Sequence, residues 1–163
     1  MRTFLLFVAA SLLVGCSSLP PQTGGNGIIL LPYAFHNDSS QVEPILRFDL
    51  SFDDGTWVSV PAGDGVLVLP RRGPVTLVGI HSAIHRDNFT GEESETRVNL
   101  PLVVEVGRIV VASQAFEVTQ TSVQGGEDRG FRTFWKFVPV TPSRQEAIFA
   151  GLKSDPNYAV WNR

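Results

Sequence analysis

The chain has one cysteine, Cys16, among its 163 residues. No disulfide and no cysteine-built metal centre can form within one molecule, so the core must be held by packing alone. A run of the ~20 apolar residues needed to span a bilayer as a helix is also missing. The longest apolar run, Phe4 to Val14, is about half that. Basic residues are few: 13 Lys and Arg stand against 16 Asp and Glu, for a net charge of −3. No basic face is expected, which argues against nucleic acid as a partner. A G-x-S-x-G motif is absent, and no base is placed beside a serine or threonine in a way that signals nucleophilic catalysis. Apolar residues, by contrast, make up 43% of the chain and include 11 Phe, enough for a packed core.

The one cysteine has a distinctive setting. Arg2 precedes the apolar run, whose length suits a signal-peptide h-region, usually about 7–15 residues. The run ends in Leu13-Val14-Gly15-Cys16, and Ser17-Ser18-Leu19-Pro20-Pro21 follows. This stretch resembles the lipobox of bacterial lipoproteins, in which a small residue precedes the cysteine at the end of the signal peptide. The resemblance implies cleavage between Gly15 and Cys16. It also implies a diacylglycerol on Cys16 and a further acyl chain, such as palmitate, on its amine. One acyl chain holds a protein to a membrane only marginally, whereas two or more hold it durably. No cofactor other than this covalent lipid is expected. Ser17 resembles the outer-membrane sorting context, because Asp at that position is the usual inner-membrane retention signal. The expected location is therefore the bacterial envelope, lipid-anchored on the outer membrane and facing the periplasm. Cleavage would remove 15 of the 163 residues, leaving 148 with 12 basic and 16 acidic side chains, net −4. The expected division is a signal peptide over 1–15, the lipidated cysteine and a flexible linker over 16–26, and one β domain over 27–163. Ten linker residues reach at most about 33–36 Å and average about 16–19 Å as a coil.

Beyond the linker the pattern is that of strands. Ile28 to Phe35 is a continuous apolar run, with Pro32 pointing to an edge or a bulge. Leu46, Phe48, Leu50 and Phe52 alternate with Arg47, Asp49 and Ser51, one face for the core and one for water. Asp53-Asp54-Gly55 is a hairpin turn before Thr56 to Val60. Val66 to Leu69 and Val75 to Ile84 follow, each after a Gly- or Pro-rich turn. A polar loop is expected over Arg86 to Glu95. Thr96 to Val106 and Ile109 to Thr119 are expected to form a hairpin about Gly107-Arg108. A Gly-containing loop over Thr121 to Gly130 leads to a last strand, Phe131 to Val140. Ser143-x-x-Glu146 reads as a capping box, and Ile148 and Leu152 share a helical face. One short helix should end near Ser154, with Tyr158, Val160 and Trp161 folding back. The expected class is mainly β: an antiparallel seven- to eight-stranded β-sandwich, prealbumin- or Ig-like, with one short C-terminal helix. Asp54-Gly55, Pro61 to Leu69, Gly73-Pro74-Val75-Thr76-Leu77 and Val104 to Val110 together resemble bacterial prealbumin-like sandwich modules. Such modules are mainly structural or binding domains, so the resemblance implies no catalytic residue.

The side chains capable of chemistry have simpler roles. His81 and His85 are four apart, a metal-ligand spacing on a helix. On a strand four residues span about 13 Å, too far to share one ion. Asp87, Glu92, Glu93 and Glu95 form an acidic run best read as a solvated loop, and His36 beside Asp38 as turn chemistry. No metal site is expected. The candidate binding residues are aromatic: Phe134 and Trp135 on the last strand, and Trp57. Alternation puts Phe131, Trp135 and Phe137 on the core face and Phe134 on the other. The expected activity is that of a non-enzymatic, membrane-anchored lipoprotein that works through a protein partner in the envelope. The alternative is a glycan- or peptidoglycan-binding module that uses the aromatic strand.

Overall fold

The computed structural model describes residues 18–37, 45–86, 89–125 and 128–161, and among these the backbone alone at 37, 45–46, 84–86, 89–93, 122–125 and 128–132. In chain order the elements are β1 (Gly27–Asn37), β2 (Ile45–Phe52), β3 (Trp57–Val60), β4 (Asp64–Arg71), β5 (Val75–Arg86), β6 (Phe89–Leu102), β7 (Ile109–Val111), β8 (Gln114–Gly125), β9 (Asp128–Pro139), α1 (Pro142–Leu152) and α2 (Tyr158–Trp161). The protein is mainly β, with two sheets. One runs β4-β1-β8-β9, with β7 also on β1; the other runs β3-β2-β5-β6. Side chains of both sheets meet in one core. Phe48 of β2 meets Phe116 of β8 edge-on at 5.8 Å, with Ile29, Leu31, Leu50, Leu67 and Leu77 around them.

The sheets are not antiparallel throughout, as the sequence suggested. β1 is antiparallel to β4 but parallel to both β7 and β8. The chain leaves β1 for the other sheet, so no hairpin dictates the direction of its neighbour. Strand β1 also explains its own composition. Ile29, Leu31 and Tyr33 face the core between the sheets, while Ile28 and Leu30 face a second apolar cluster with Leu19, Ile109, Val111 and Trp161. Burial on both faces requires a continuous apolar run rather than alternation.

Pro32 lies on this inner strand, not at an edge. The N–H of Ile28 donates to Arg108 O, and that of Phe35 to Gly63 O. Even-numbered amides thus point towards β7 and β8, odd-numbered ones towards β4. The missing N–H of Pro32 points where β7 has ended and β8 has not begun, so no ladder bond is lost.

Several boundaries differ from the sequence reading. The polar stretch before Glu95 is largely strand, since β5 runs to Arg86 and β6 starts at Phe89. Residues on a solvated face need not be apolar for the ladder to form. The expected loop after Thr121 is likewise paired, with Thr121 opposite Arg132 and Gly125 opposite Asp128. Gly107-Arg108 does not close a hairpin, because β6 and β7 belong to different sheets and the segment between them crosses over. The helix cap is Thr141, whose hydroxyl accepts the Arg144 N–H at 3.2 Å, and not Ser143. Pro142 has no N–H to be capped and fits the first helical position, which leaves the cap to the residue before it.

The stretch expected as a flexible linker is attached from Leu19 onward. Leu19 N–H donates to Asp155 Oδ2 and Leu19 O accepts from Asn157 Nδ2, both at 2.7 Å. Trp161 Nε1 donates to Pro20 O at 2.7 Å, and the side chains of Leu19 and Trp161 are buried. Among the described residues, no helix is long and apolar enough to cross a membrane.

The β2–β3 turn is held by Asp54, which accepts from the Thr56 hydroxyl at 2.6 Å and the Thr56 N–H at 2.9 Å. The Thr56 hydroxyl is the largest cause of a carboxyl pKa below the ordinary 3.8; desolvation opposes it, and the Thr56 N–H and Arg71 add to the lowering. A depressed folded pKa gives stability that is fully present above the unfolded value and is lost as pH falls through the folded one. Asp54→Asn should therefore show a shallower loss of stability below pH 3.8 than the parent chain, measured by denaturant melts at successive pH values. Phe48→Ala should cost about 3–5 kcal/mol. A change below about 1 kcal/mol would mean that Phe48 does not fill the core.

Candidate functional site

The outer face of β1 and β4 is apolar, and α1 lies across only part of it. Where cover ends, a cleft of about 400 Å3 remains. Leu30, Pro32 and Ala34 of β1 and Val66 and Val68 of β4 form its floor; Ala147, Ile148 and Leu152 of α1 form its wall. His36, Asp64, Glu117 and Arg144 stand around it. The volume is at the small end of the range of ligand pockets, about 300–1,000 Å3. Glu117 is held by two cations, Arg144 Nη1 at 3.4 Å and Lys136 Nζ at 3.6 Å. Tyr33 adjoins the cleft, but its side chain packs on the inner face, where a Cβ on the facing Gly65 would run into its hydroxyl. Burial, and then the charge of Asp64, pushes the Tyr33 pKa above 10.0, so the phenol stays protonated at neutral pH.

Phe134 lies on the same outer face. In register it sits opposite Thr119 of β8, which sits opposite His36 of β1. Two strand spacings separate Phe134 from β1, roughly 10 Å. Its side chain is 58% exposed. Trp135 points the other way, towards Phe116 at 6.4 Å and Phe137 at 6.2 Å, and packs on the core. The two candidates of the last strand therefore occupy opposite faces. The side chain of Phe131 lies outside the described residues.

Trp57 belongs to a separate surface. It is 58% exposed on the outer face of the second sheet, with its ring 4.0 Å from that of His81. His81 Nε2 lies 3.2 Å from Ser51 Oγ and 3.9 Å from Glu95 Oε1. Gly79 makes room, since a Cβ there would run into Ser51 Oγ and approach His81 Nε2 to 3.1 Å. Serine, histidine and glutamate are together, but both oxygens address the same ring nitrogen. A proton relay needs the nucleophile on one nitrogen and the carboxylate on the other. The cluster is therefore a polar seat for Trp57 and not a hydrolytic triad. Arg47 and Asp49 continue this face, with Nε and Oδ2 2.9 Å apart, and both also bond Ser59.

Among the described residues, no group of three or more His, Cys, Asp or Glu is placed to hold a metal ion. Gly15, Cys16, Asp38 and Asp87 lie outside the described residues, as do the side chains of His85, Glu92 and Glu93. The cleft itself was not apparent from sequence. Two signals pointed towards it: a doubly apolar β1 that needs outer cover, and a helix too short to provide all of it. No family model matches this chain, and comparison with curated proteins and with solved structures likewise found no match.

Trp135→Ala should lower stability by about 3 kcal/mol, whereas Phe134→Ala should shift the melting temperature little. Equal destabilisation by both would place Phe134 in the packing rather than on a free surface.

Proposed function

We propose that this chain is a non-enzymatic lipoprotein of the bacterial envelope, anchored through lipid on Cys16 and acting by contact with another envelope protein. The Leu13-Val14-Gly15-Cys16 sequence and its flanks support the anchor. Ser17 supports an outer-membrane address with the domain in the periplasm. The observation that carries the contact reading is the apolar cleft beside α1, with charged groups around it and Phe134 exposed on the same face. Apolar clefts with a few polar groups at the rim are the usual form of a binding site, and large exposed aromatics are frequent anchors of protein interfaces. The sandwich is of the prealbumin-like type: four-strand sheet paths and a first strand parallel to β8 support that kinship alongside the short motifs from Asp54 to Val110.

A second reading rests on Trp57. An exposed indole with Ser51, His81 and Glu95 beside it suits the face of a pyranose ring, with polar groups positioned for its hydroxyls. This is the glycan- or peptidoglycan-binding alternative, and it uses Trp57 rather than the last strand.

Replacing Phe134 with a photo-crosslinking residue in the living cell should trap a discrete envelope protein, and the same residue at Trp57 should not. Trapping at neither position, together with binding of soluble peptidoglycan fragments that is lost in Trp57→Ala, would replace the first reading with the second. Cys16→Ser should leave an uncleaved, unacylated precursor in fractionated cells. Normal maturation of that variant would refute the anchor.

A further inference from the structure

We infer that the end of the sandwich carrying residues 103–107 rests against the lipid surface, held there by a docked and very short tether. This rests on the acylation of Cys16 proposed above. Leu19 is fixed by backbone bonds to Asp155 and Asn157 and by burial of its side chain. Only three Cα steps separate Cys16 from Leu19, a reach of at most about 11 Å. Acyl chains on Cys16 must lie in the bilayer, so the surface around Leu19 must lie close to the headgroups.

The loop between β6 and β7 belongs to that surface. Gly107 N–H donates to Asn26 O at 2.8 Å, and Gln22 Nε2 donates to Gly107 O at 3.4 Å. This loop holds the two most exposed large apolar side chains among the described residues, Val103 at 64% and Val106 at 62%. Val160, at 38%, lies on α2, the helix whose Trp161 bonds Pro20. Three of the six exposed large apolar side chains among the described residues thus lie on the two segments that grip the tether, while Trp57, Val78 and Phe134 lie elsewhere. Between the valines Glu105 is neutralised by Arg108, Nε to Oε2 3.6 Å. A neutral, weakly apolar loop suits the headgroup zone, where apolar faces settle about 5–10 Å deep. The other end of the sheet is remote: the nine residue steps of β1 from Gly27 to His36 span about 30 Å.

The test uses the full lipidated chain, purified from bacterial membranes and placed in phosphatidylethanolamine–phosphatidylglycerol vesicles containing headgroup-spin-labelled lipid. Val103→Cys, Val106→Cys and, as the remote control, Thr133→Cys each carry one fluorophore, because Cys16 is blocked by lipid. Quenching at 103 and 106 should exceed that at 133 by about threefold or more, given the depth expected of an interfacial segment. Equal quenching at the three positions would overturn the inference. Inserting ten Gly/Ser residues between Ser18 and Leu19 should bring the ratio towards one, and an unchanged ratio would overturn the tether as its cause. The mass of the N-terminal peptide separates the two claims. Acylated Cys16 with equal quenching removes this inference alone, whereas an unacylated Cys16 removes the anchor and this inference together.

Discussion

Strand β1 must be buried on both of its faces, and most of the architecture follows from that constraint. From Ile28 to Ala34 no side chain of the strand reaches water freely. The inner face is satisfied by the opposite sheet, as in any two-layer β fold. The outer face has no third sheet to meet. It is covered instead by α1, by α2 and by the segment around Leu19, which together build the small second core. Each cover is short, so coverage is incomplete, and the cleft is what remains. In this sense the candidate site is a by-product of how a doubly apolar strand is shielded.

The same economy applies to the polar side chains. Most of the ionisable groups with a conspicuous setting are committed to structure. Arg71 stacks over Phe52 at 5.1 Å, bonds Thr56 and pairs with Asp54. Glu117 is divided between two cations, and His81 is divided between Ser51 and Glu95 on a single nitrogen. None of these arrangements leaves an activated nucleophile beside a base. Two large aromatic side chains, Trp57 and Phe134, remain exposed beside these groups.

Much of the strand pattern was legible in the sequence, because alternation in Phe48, Leu50 and Phe52 and turn residues such as Asp54-Gly55 act locally. Phe134 and Trp135 could also be assigned to opposite faces by parity alone. The failures share a cause: each depended on a distant partner. Gly107-Arg108 has hairpin composition, but its flanks are claimed by different sheets. Pro32 looked like an edge signal because nothing local reveals that a neighbouring strand is interrupted beside it. Leu19 and Pro20 sit in linker-like sequence, and only Asp155, Asn157 and Trp161, at the far end of the chain, give them a fixed place. The cleft was hidden for the same reason, since its floor and wall are more than 70 residues apart in sequence.

The bond from Leu19 to Asp155 spans 136 positions, and that from Trp161 to Pro20 spans 141. Contacts of such separation form late, because nearly the whole chain must be ordered before they can close. Leu19 and Pro20 are therefore among the last parts of the fold to be fixed. Until Asp155, Asn157 and Trp161 are in place, the backbone groups of Leu19 and Pro20 lack these partners. The three bonds act as a clasp, so a substitution at Asp155, Asn157 or Trp161 would loosen a stretch more than 130 positions away in sequence.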